Sequence, residues 1–147
     1  MLLKLGEGLL EETFATFRAC GCARNECVVY WAGPVKEPGL VDRVIHPDHI
    51  GEPDYYELSQ SWLNWIWSHL RAEQIEIRMQ VHTHGRRAFH SKLDDDYPFL
   101  QTAGFGSLVF PNYGSGPVSL DGAYLVELTE RGTWHELDAH HSLRVAA

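Results

Sequence analysis

Residues 79–98, MQVHTHGRRAFHSKLDDDYP, place three histidines, one serine and three consecutive aspartates in twenty positions. Imidazole and carboxylate groups hold zinc, and a catalytic zinc takes three protein ligands and leaves a fourth position open. His82, His84 and one of Asp94, Asp95 or Asp96 supply two neutral ligands and one negative one, so a bound Zn2+ keeps a net positive charge. Such an ion brings the pKa of water from about 15.7 to about 7. The chemistry then needs a separate carboxylate to take and return the proton. Glu26, far upstream and just ahead of an apolar run, is the candidate for that role, and Ser91 completes the set.

These side chains need elements to hold them. In IEIRMQVHTH, Ile75, Ile77, Met79 and Val81 alternate with Glu76, Arg78, Gln80 and His82, the period of a strand. His82 and His84 then project from one face of its end, opposite the Ile/Met/Val row. Ser91 with Asp94 three residues on has the form of a helix cap, and an acidic first turn suits the positive end of a helix. Glu26 precedes the β-branched and aromatic run CVVYWAGP, read as a strand that closes at Gly33-Pro34. LVDRVIHP reads as a second strand paired with it. Leu10, Phe14 and Phe17 mark a helix ending near Gly21, and Leu58, Trp62, Ile66 and Leu70 mark another, introduced by an Asp54/Glu57 capping pattern. Its tryptophans are read as core or partner-facing packing rather than a ligand cage. GSLVFPNYG, GAYLVEL and GTWHEL form three glycine-bounded strands, and the tail HHSLRVAA is expected to fray. The order gives an α/β (α+β) fold, one sheet flanked by helices, in a single domain over residues 1–147.

A chain of 147 residues, 44% of them hydrophobic, buries roughly 68–70% of its unfolded surface and needs no disulfide or structural metal to fold. The net charge of −8 speaks against non-specific nucleic-acid binding. No apolar run approaches the ~18–20 residues of a membrane span, and acids interrupt MLLKLGEGLLEE too early for a secretory segment. A cytoplasmic protein that binds neither membrane nor nucleic acid is the expectation. Cys20, Cys22 and Cys27 are odd in number, which argues against a disulfide framework, and they supply one ligand too few for a structural zinc. Cys27 is expected to be a buried, reduced thiol. His46, His49, His69 and His90 are read as surface or loop residues.

The series Glu26…His82-x-His84-x6-Ser91-x2-Asp94 resembles the JAMM motif of MPN-domain zinc metalloproteases, bacterial JAB-type members included. GFGSLVFPNYG, residues 104–114, is similar to the strand that follows the motif in bacterial MPN proteins. The resemblance runs from about residue 8 to 137. It implies an MPN (JAB/JAMM) domain with a central, mixed, curved sheet and one catalytic Zn2+ held by His82, His84 and Asp94. By the same resemblance Glu26 is the general acid/base and Ser91 helps stabilise the oxyanion. Two positions depart from the pattern. Gly85 stands where proline is usual, which suggests a more mobile loop. The His84–Ser91 spacing is one residue short, which leaves Asp95 as an alternative ligand, although Ser91 and Asp94 are one helical turn apart.

The family cleaves isopeptide or peptide bonds after the C-terminus of ubiquitin-like modifiers. In bacteria it accompanies ubiquitin-like activating and conjugating enzymes, including in antiphage defence. The expected function is therefore an isopeptidase acting on a modifier or its conjugates, or a processing peptidase acting on a modifier precursor. The alternative is a non-catalytic MPN scaffold that binds a modifier or conjugation-machinery partner. Arg86, Arg87 and Lys92 surround the proposed metal loop as solvent-facing charges or as contacts to the modifier.

Overall fold

The computed structural model describes residues 1–146. In chain order its elements are β1 (Leu3–Leu5), α1 (Leu9–Gly21), β2 (Val28–Pro34), β3 (Leu40–Val41), β4 (Arg43–Ile45), β5 (His49–Gly51), β6 (Tyr56–Leu58), α2 (Gln60–Glu73), β7 (Ile75–Thr83), α3 (Lys92–Asp96), β8 (Gly106–Phe110), β9 (Tyr124–Leu128), β10 (Trp134–Leu137), α4 (Ala139–Ser142) and β11 (Leu143–Val145). A six-stranded mixed sheet runs β10-β9-β8-β7-β2-β4, with β7 and β8 parallel and the other pairs antiparallel. A parallel three-stranded sheet, β11-β1-β3, and the β5–β6 hairpin complete it.

The two helices predicted from periodicity cover opposite faces of the large sheet. Leu9, Leu10, Phe14 and Phe17 of α1 pack with Val29, Trp31, Met79, Val81, Leu108 and Phe110. Trp62, Ile66 and Leu70 of α2 pack with Val28, Tyr30, Ala32, Ile75 and Ile77. Both faces of β2 and of β7 are thus covered, which is why β2 reads as a nearly continuous apolar run, whereas β7 buries polar side chains, Gln80 and His82 among them.

One strand departs from strict alternation. The pairing of β7 with β2 shifts between Trp31 and Ala32: Met79 lies opposite Trp31 and Ile77 opposite Ala32, so Arg78 is the extra residue of a bulge. The bulge moves Ile75 and Ile77 to the α2 face, while Met79 and Val81 stay on the α1 face. His82 is therefore opposite Met79 and Val81, as expected, but shares its side with Ile75 and Ile77. Arg78 explains the irregularity, since its guanidinium donates to the carbonyls of Pro34, Glu37 and Leu40 and pairs with Glu76.

Four further expectations change. LVDRVIHP is not one strand, because Leu40–Val41 pairs with β1 and Arg43–Ile45 pairs with β2. The second helix starts at Gln60, capped by the Ser59 hydroxyl, which accepts from the Trp62 N–H; Asp54 lies before β6 and Glu57 within it instead. The tail folds back as α4 and β11, with Leu143–Val145 in parallel register with Leu3–Leu5. Cys27 is buried but bridged to Cys20, with the two Cα atoms 6.1 Å apart, where a reduced thiol was expected.

Candidate metal centre

Backbone pairing decides which side chains meet. Val28 lies opposite His82 in the β2–β7 ladder. One residue beyond, the Cys27 N–H donates to the Thr83 hydroxyl (3.1 Å) and the Thr83 N–H donates to the Cys27 carbonyl (3.2 Å). This double link places Glu26 beside the end of β7. The His84 N–H donates to the Phe110 carbonyl (2.9 Å), and the His84 carbonyl accepts from the Tyr113 N–H (2.8 Å), fixing the chain just past the strand. On the far side, the Glu26 N–H donates to the Glu52 carbonyl (2.8 Å).

Asp94 comes from α3 and is held by its cap. The Ser91 hydroxyl accepts from the Asp94 N–H (3.1 Å), and Asp94 Oδ2 accepts from the Ser91 N–H (2.9 Å), a reciprocal capping box. That arrangement turns the carboxylate toward the strand end. Asp94 Oδ1 lies 3.2 Å from His82 Nε2, and Asp94 Oδ2 lies 3.2 Å from His84 Nε2. Glu26 Oε2 stands behind them, 3.9 Å from His84 Nε2. The ligand atoms of Glu26, His82 and His84 lie within 4.8 Å of one another, and all three residues are buried.

The geometry fits a divalent cation. His82 is wholly buried, yet neither of its ring nitrogens has an aligned hydrogen-bond partner. Such an orphan costs roughly 1–3 kcal/mol. Its Nε2 is close to Asp94 Oδ1 but off the line a hydrogen bond needs, the relation of two ligands aimed at a common point. Zn–N and Zn–O bonds of about 2.0–2.2 Å give a tetrahedral edge of roughly 3.3–3.5 Å, close to the two 3.2 Å separations. Two imidazoles and a carboxylate form the donor set of a borderline metal with an open position.

Burial, and then the negative charges of Asp94 and Asp54, push the Glu26 carboxyl up to about 8. Burial is the largest influence on Asp94 and works against its ionisation too, but the attraction and close contact of His82, the contact with His84 and the Ser91 N–H together outweigh it and hold this carboxyl far below the usual range. The Tyr56 hydroxyl, enclosed and near both acids, is raised well above an ordinary phenol.

The cluster opens into a cleft of about 520 Å³ whose walls include Glu26, Tyr56, Gln80, Ser91, Asp94 and Phe99. Ser91 has used one lone pair in the cap, and its hydroxyl proton remains available to an acceptor in the cleft. Of the three aspartates, Asp94 alone reaches the two imidazoles. Asp95 Oδ1 pairs with His90 Nδ1 (2.6 Å), and Asp96 pairs with the exposed Lys92 (3.1 Å).

Sequence reasoning passed over several residues here. His90, read as a loop histidine, is largely buried; beyond Asp95 it meets the Ser107 hydroxyl (3.0 Å). That hydroxyl in turn accepts from Gln80, whose carbonyl oxygen accepts from the Phe99 N–H. The chain of contacts braces the loop between β7 and β8, and no spacing signal announces it. Tyr56, whose ring centroid lies 5.4 Å from that of His82, was likewise hidden in a segment read as a helix approach. Gly85 needs a different reading as well. A Cβ there would sit 2.6 Å from the Tyr113 hydroxyl oxygen, and that hydroxyl donates to the Pro53 carbonyl (2.9 Å). Gly85 makes room for a tyrosine that locks the loop, so the missing proline reflects close packing rather than mobility.

No family model matches the chain. A probable metalloprotease of Sinorhizobium fredii is 32% identical over 72 residues, which is 49% of this chain and 43% of that protein. The match thus spans less than half the length of that curated relative. The structure is similar to the solution structure of a Desulfitobacterium hafniense protein, at 14% identity and a TM-score of 0.73 over 99% of this chain and 93% of that one. It is also similar to the crystal structure of a JAB1/MPN domain protein from Archaeoglobus fulgidus, at 12% identity and a TM-score of 0.59 over 99% and 98% of the two chains. The chain has the JAB1/MPN fold. With the metalloprotease relative, that fold supports an MPN/JAMM-type family for this chain.

Proposed function

We propose that the chain is a zinc-dependent metallopeptidase that cleaves after the C-terminus of a ubiquitin-like modifier. It acts in the cytoplasm, as a deconjugating isopeptidase, a precursor-processing peptidase or both, beside bacterial ubiquitin-like activating and conjugating enzymes or in antiphage defence. The observation that carries the peptidase reading is the single carboxylate, Asp94, meeting both imidazoles at 3.2 Å with Glu26 standing behind them on the wall of a cleft.

His82, His84 and Asp94 would hold the ion. Zinc, when bound, supplies Lewis acidity that polarises a carbonyl and brings the pKa of water to about 7. Glu26 takes the proton from the attacking water and passes it to the departing amine. A carboxyl raised to about 8 by burial and neighbouring acids sits near the pH at which a proton carrier works in both directions, and a cation at the imidazoles draws it lower. The Ser91 hydroxyl donates to the carbonyl oxygen as negative charge develops there, where a fixed donor helps most.

The cleft also suits an extended peptide. Tyr56–Leu58 line it, and among the described residues β6 pairs with β5 alone, leaving one strand edge for main-chain bonding to the substrate tail. A cleavage assay tests the reading by comparing a linear modifier fusion with a lysine-linked conjugate, each with and without chelator. Chelator-sensitive cleavage at the modifier C-terminus is expected, and N-methylation of the tail amides should slow it. Zinc retention without hydrolysis of either substrate would replace the enzyme with the non-catalytic scaffold.

A further inference from the structure

Cys20, Cys27, His46 and His49 converge from three parts of the chain: the last turn of α1, the residue just before β2, and the stretch from the end of β4 to the first residue of β5. One ligand atom from each lies within 4.8 Å of every other. Each imidazole faces a sulfur, with His49 Nε2 3.4 Å from Cys20 Sγ and His46 Nε2 3.7 Å from Cys27 Sγ. The two rings are edge-on to one another at 5.2 Å.

A disulfide does not account for this arrangement. His49 Nδ1 lies 3.0 Å from the Pro47 carbonyl oxygen, which can only accept, so in the neutral ring, the form that ligates a metal, the proton is on Nδ1. His49 Nε2 therefore presents a bare lone pair to Cys20 Sγ. A bridged sulfur carries no proton, so the pair makes no hydrogen bond. An Nδ1–H held by a carbonyl with Nε2 aimed at soft donors is how proteins orient a metal-ligating histidine. Zn–S bonds of about 2.3 Å and Zn–N bonds of about 2.0–2.1 Å give an S···N tetrahedral edge of roughly 3.6 Å. The observed separations lie on either side of that value.

We infer that Cys20, Cys27, His46 and His49 form a second zinc site, a structural Cys2His2 centre that the reduced protein fills. Four protein ligands leave no open position, so this ion is closed to substrate, unlike the one at His82, His84 and Asp94. The bridged form is its oxidised counterpart. Two equivalents of a small thiol reduce the Cys20–Cys27 bond, giving two cysteine thiols and one disulfide of the reductant. Zinc binding then displaces the two thiol protons. The centre ties the end of α1 to the residue next to Glu26, and the segment beyond His49 supports Glu26 directly: Gly51 packs against its carbonyl and the Glu52 carbonyl accepts from its N–H.

The test is metal stoichiometry on full-length protein purified with a small thiol and supplied with zinc. Two zinc ions per chain are expected, with sulfur scatterers near about 2.3 Å in the zinc X-ray absorption spectrum. Cobalt-loaded protein should show thiolate-to-metal charge-transfer absorption. The double variant His82→Ala/His84→Ala should keep one metal and the whole sulfur signature, which separates this inference from the peptidase reading. Cys20→Ser should remove the signature and leave one metal, and Cys22→Ser should change neither. If Cys20→Ser fails to fold, His49→Ala serves, because it retains both sulfurs and should still lose the closed site. One zinc per chain with no sulfur scattering in the parent protein would overturn the inference, as would recovery of the intact Cys20–Cys27 bridge from thiol-treated, zinc-supplied protein.

Discussion

Glu26 and Cys27 are neighbours in sequence and belong to opposite kinds of cluster. Glu26 joins two imidazoles and Asp94 at the mouth of a cleft. Cys27 joins Cys20, His46 and His49 at the end of α1, where four ligands complete a coordination shell. The first donor set is nitrogen and oxygen with room for a further molecule, and the second is nitrogen and sulfur with none. The difference shows how one strand entry serves two purposes. The same backbone that aims an acid into the cleft is held from behind by a cross-link, which fixes the main chain of the acid that stands beside the two imidazoles.

The sharpest way to break the comparison is to remove a ligand from the open cluster alone. His82→Ala should cost more than the ~10–100-fold in metal affinity that losing a supporting partner costs, and cleavage should disappear with the metal. The sulfur signature of the closed cluster should persist. Loss of both metals together would mean that the two clusters are not independent.

Glu26→Gln tests the acid beside the imidazoles while sparing the ligands. Zinc content should be unchanged and kcat should fall by ~100-fold or more, since proton transfer is worth about 10²–10⁴. Near-normal turnover would remove Glu26 from the mechanism.

The closed cluster is probed through stability. Cutting the cross-link with Cys20→Ser frees a short loop in the unfolded chain. The melting temperature, followed by calorimetry, should fall by roughly 5–10 °C. A shift under 1 °C would show that residues 20–27 are held by other contacts.

A smaller effect is expected at Gly85→Ala, where the new methyl meets Tyr113. A loss of about 1 kcal/mol by denaturant titration is expected from overpacking. Adding Tyr113→Ala should make the two changes less than additive, because they share one contact.

The site was legible in sequence where its parts lie close together along the chain. His82 and His84 end a periodic strand, and Ser91 with Asp94 writes its own cap, so residue type and spacing carried the geometry. That Asp94 rather than Asp95 turns inward follows from the capping box, which was also visible. His90, Tyr56 and the closed cluster were not legible. Cys20, Cys27, His46 and His49 have no repeated spacing, and an odd count of cysteines pointed away from them. The fold behaved in the same way: α1, β2 and the last three strands of the large sheet followed their patterns, whereas β3, β6 and β11 owe their form to distant partners.

Side-chain periodicity and turn chemistry are local, and they determined which residues form strands, which form helices and which of the polar residues stand at element ends. Register is not local. The extra residue at Arg78 exists because three carbonyls from the β2–β3 turn region claim its guanidinium, and it resets which face of β7 each later side chain occupies. Only the assembled sheet could decide that Glu26 stands 3.9 Å from His84 while the next residue turns to sulfur and imidazole on the other side, because that choice depends on contacts between segments far apart in the chain.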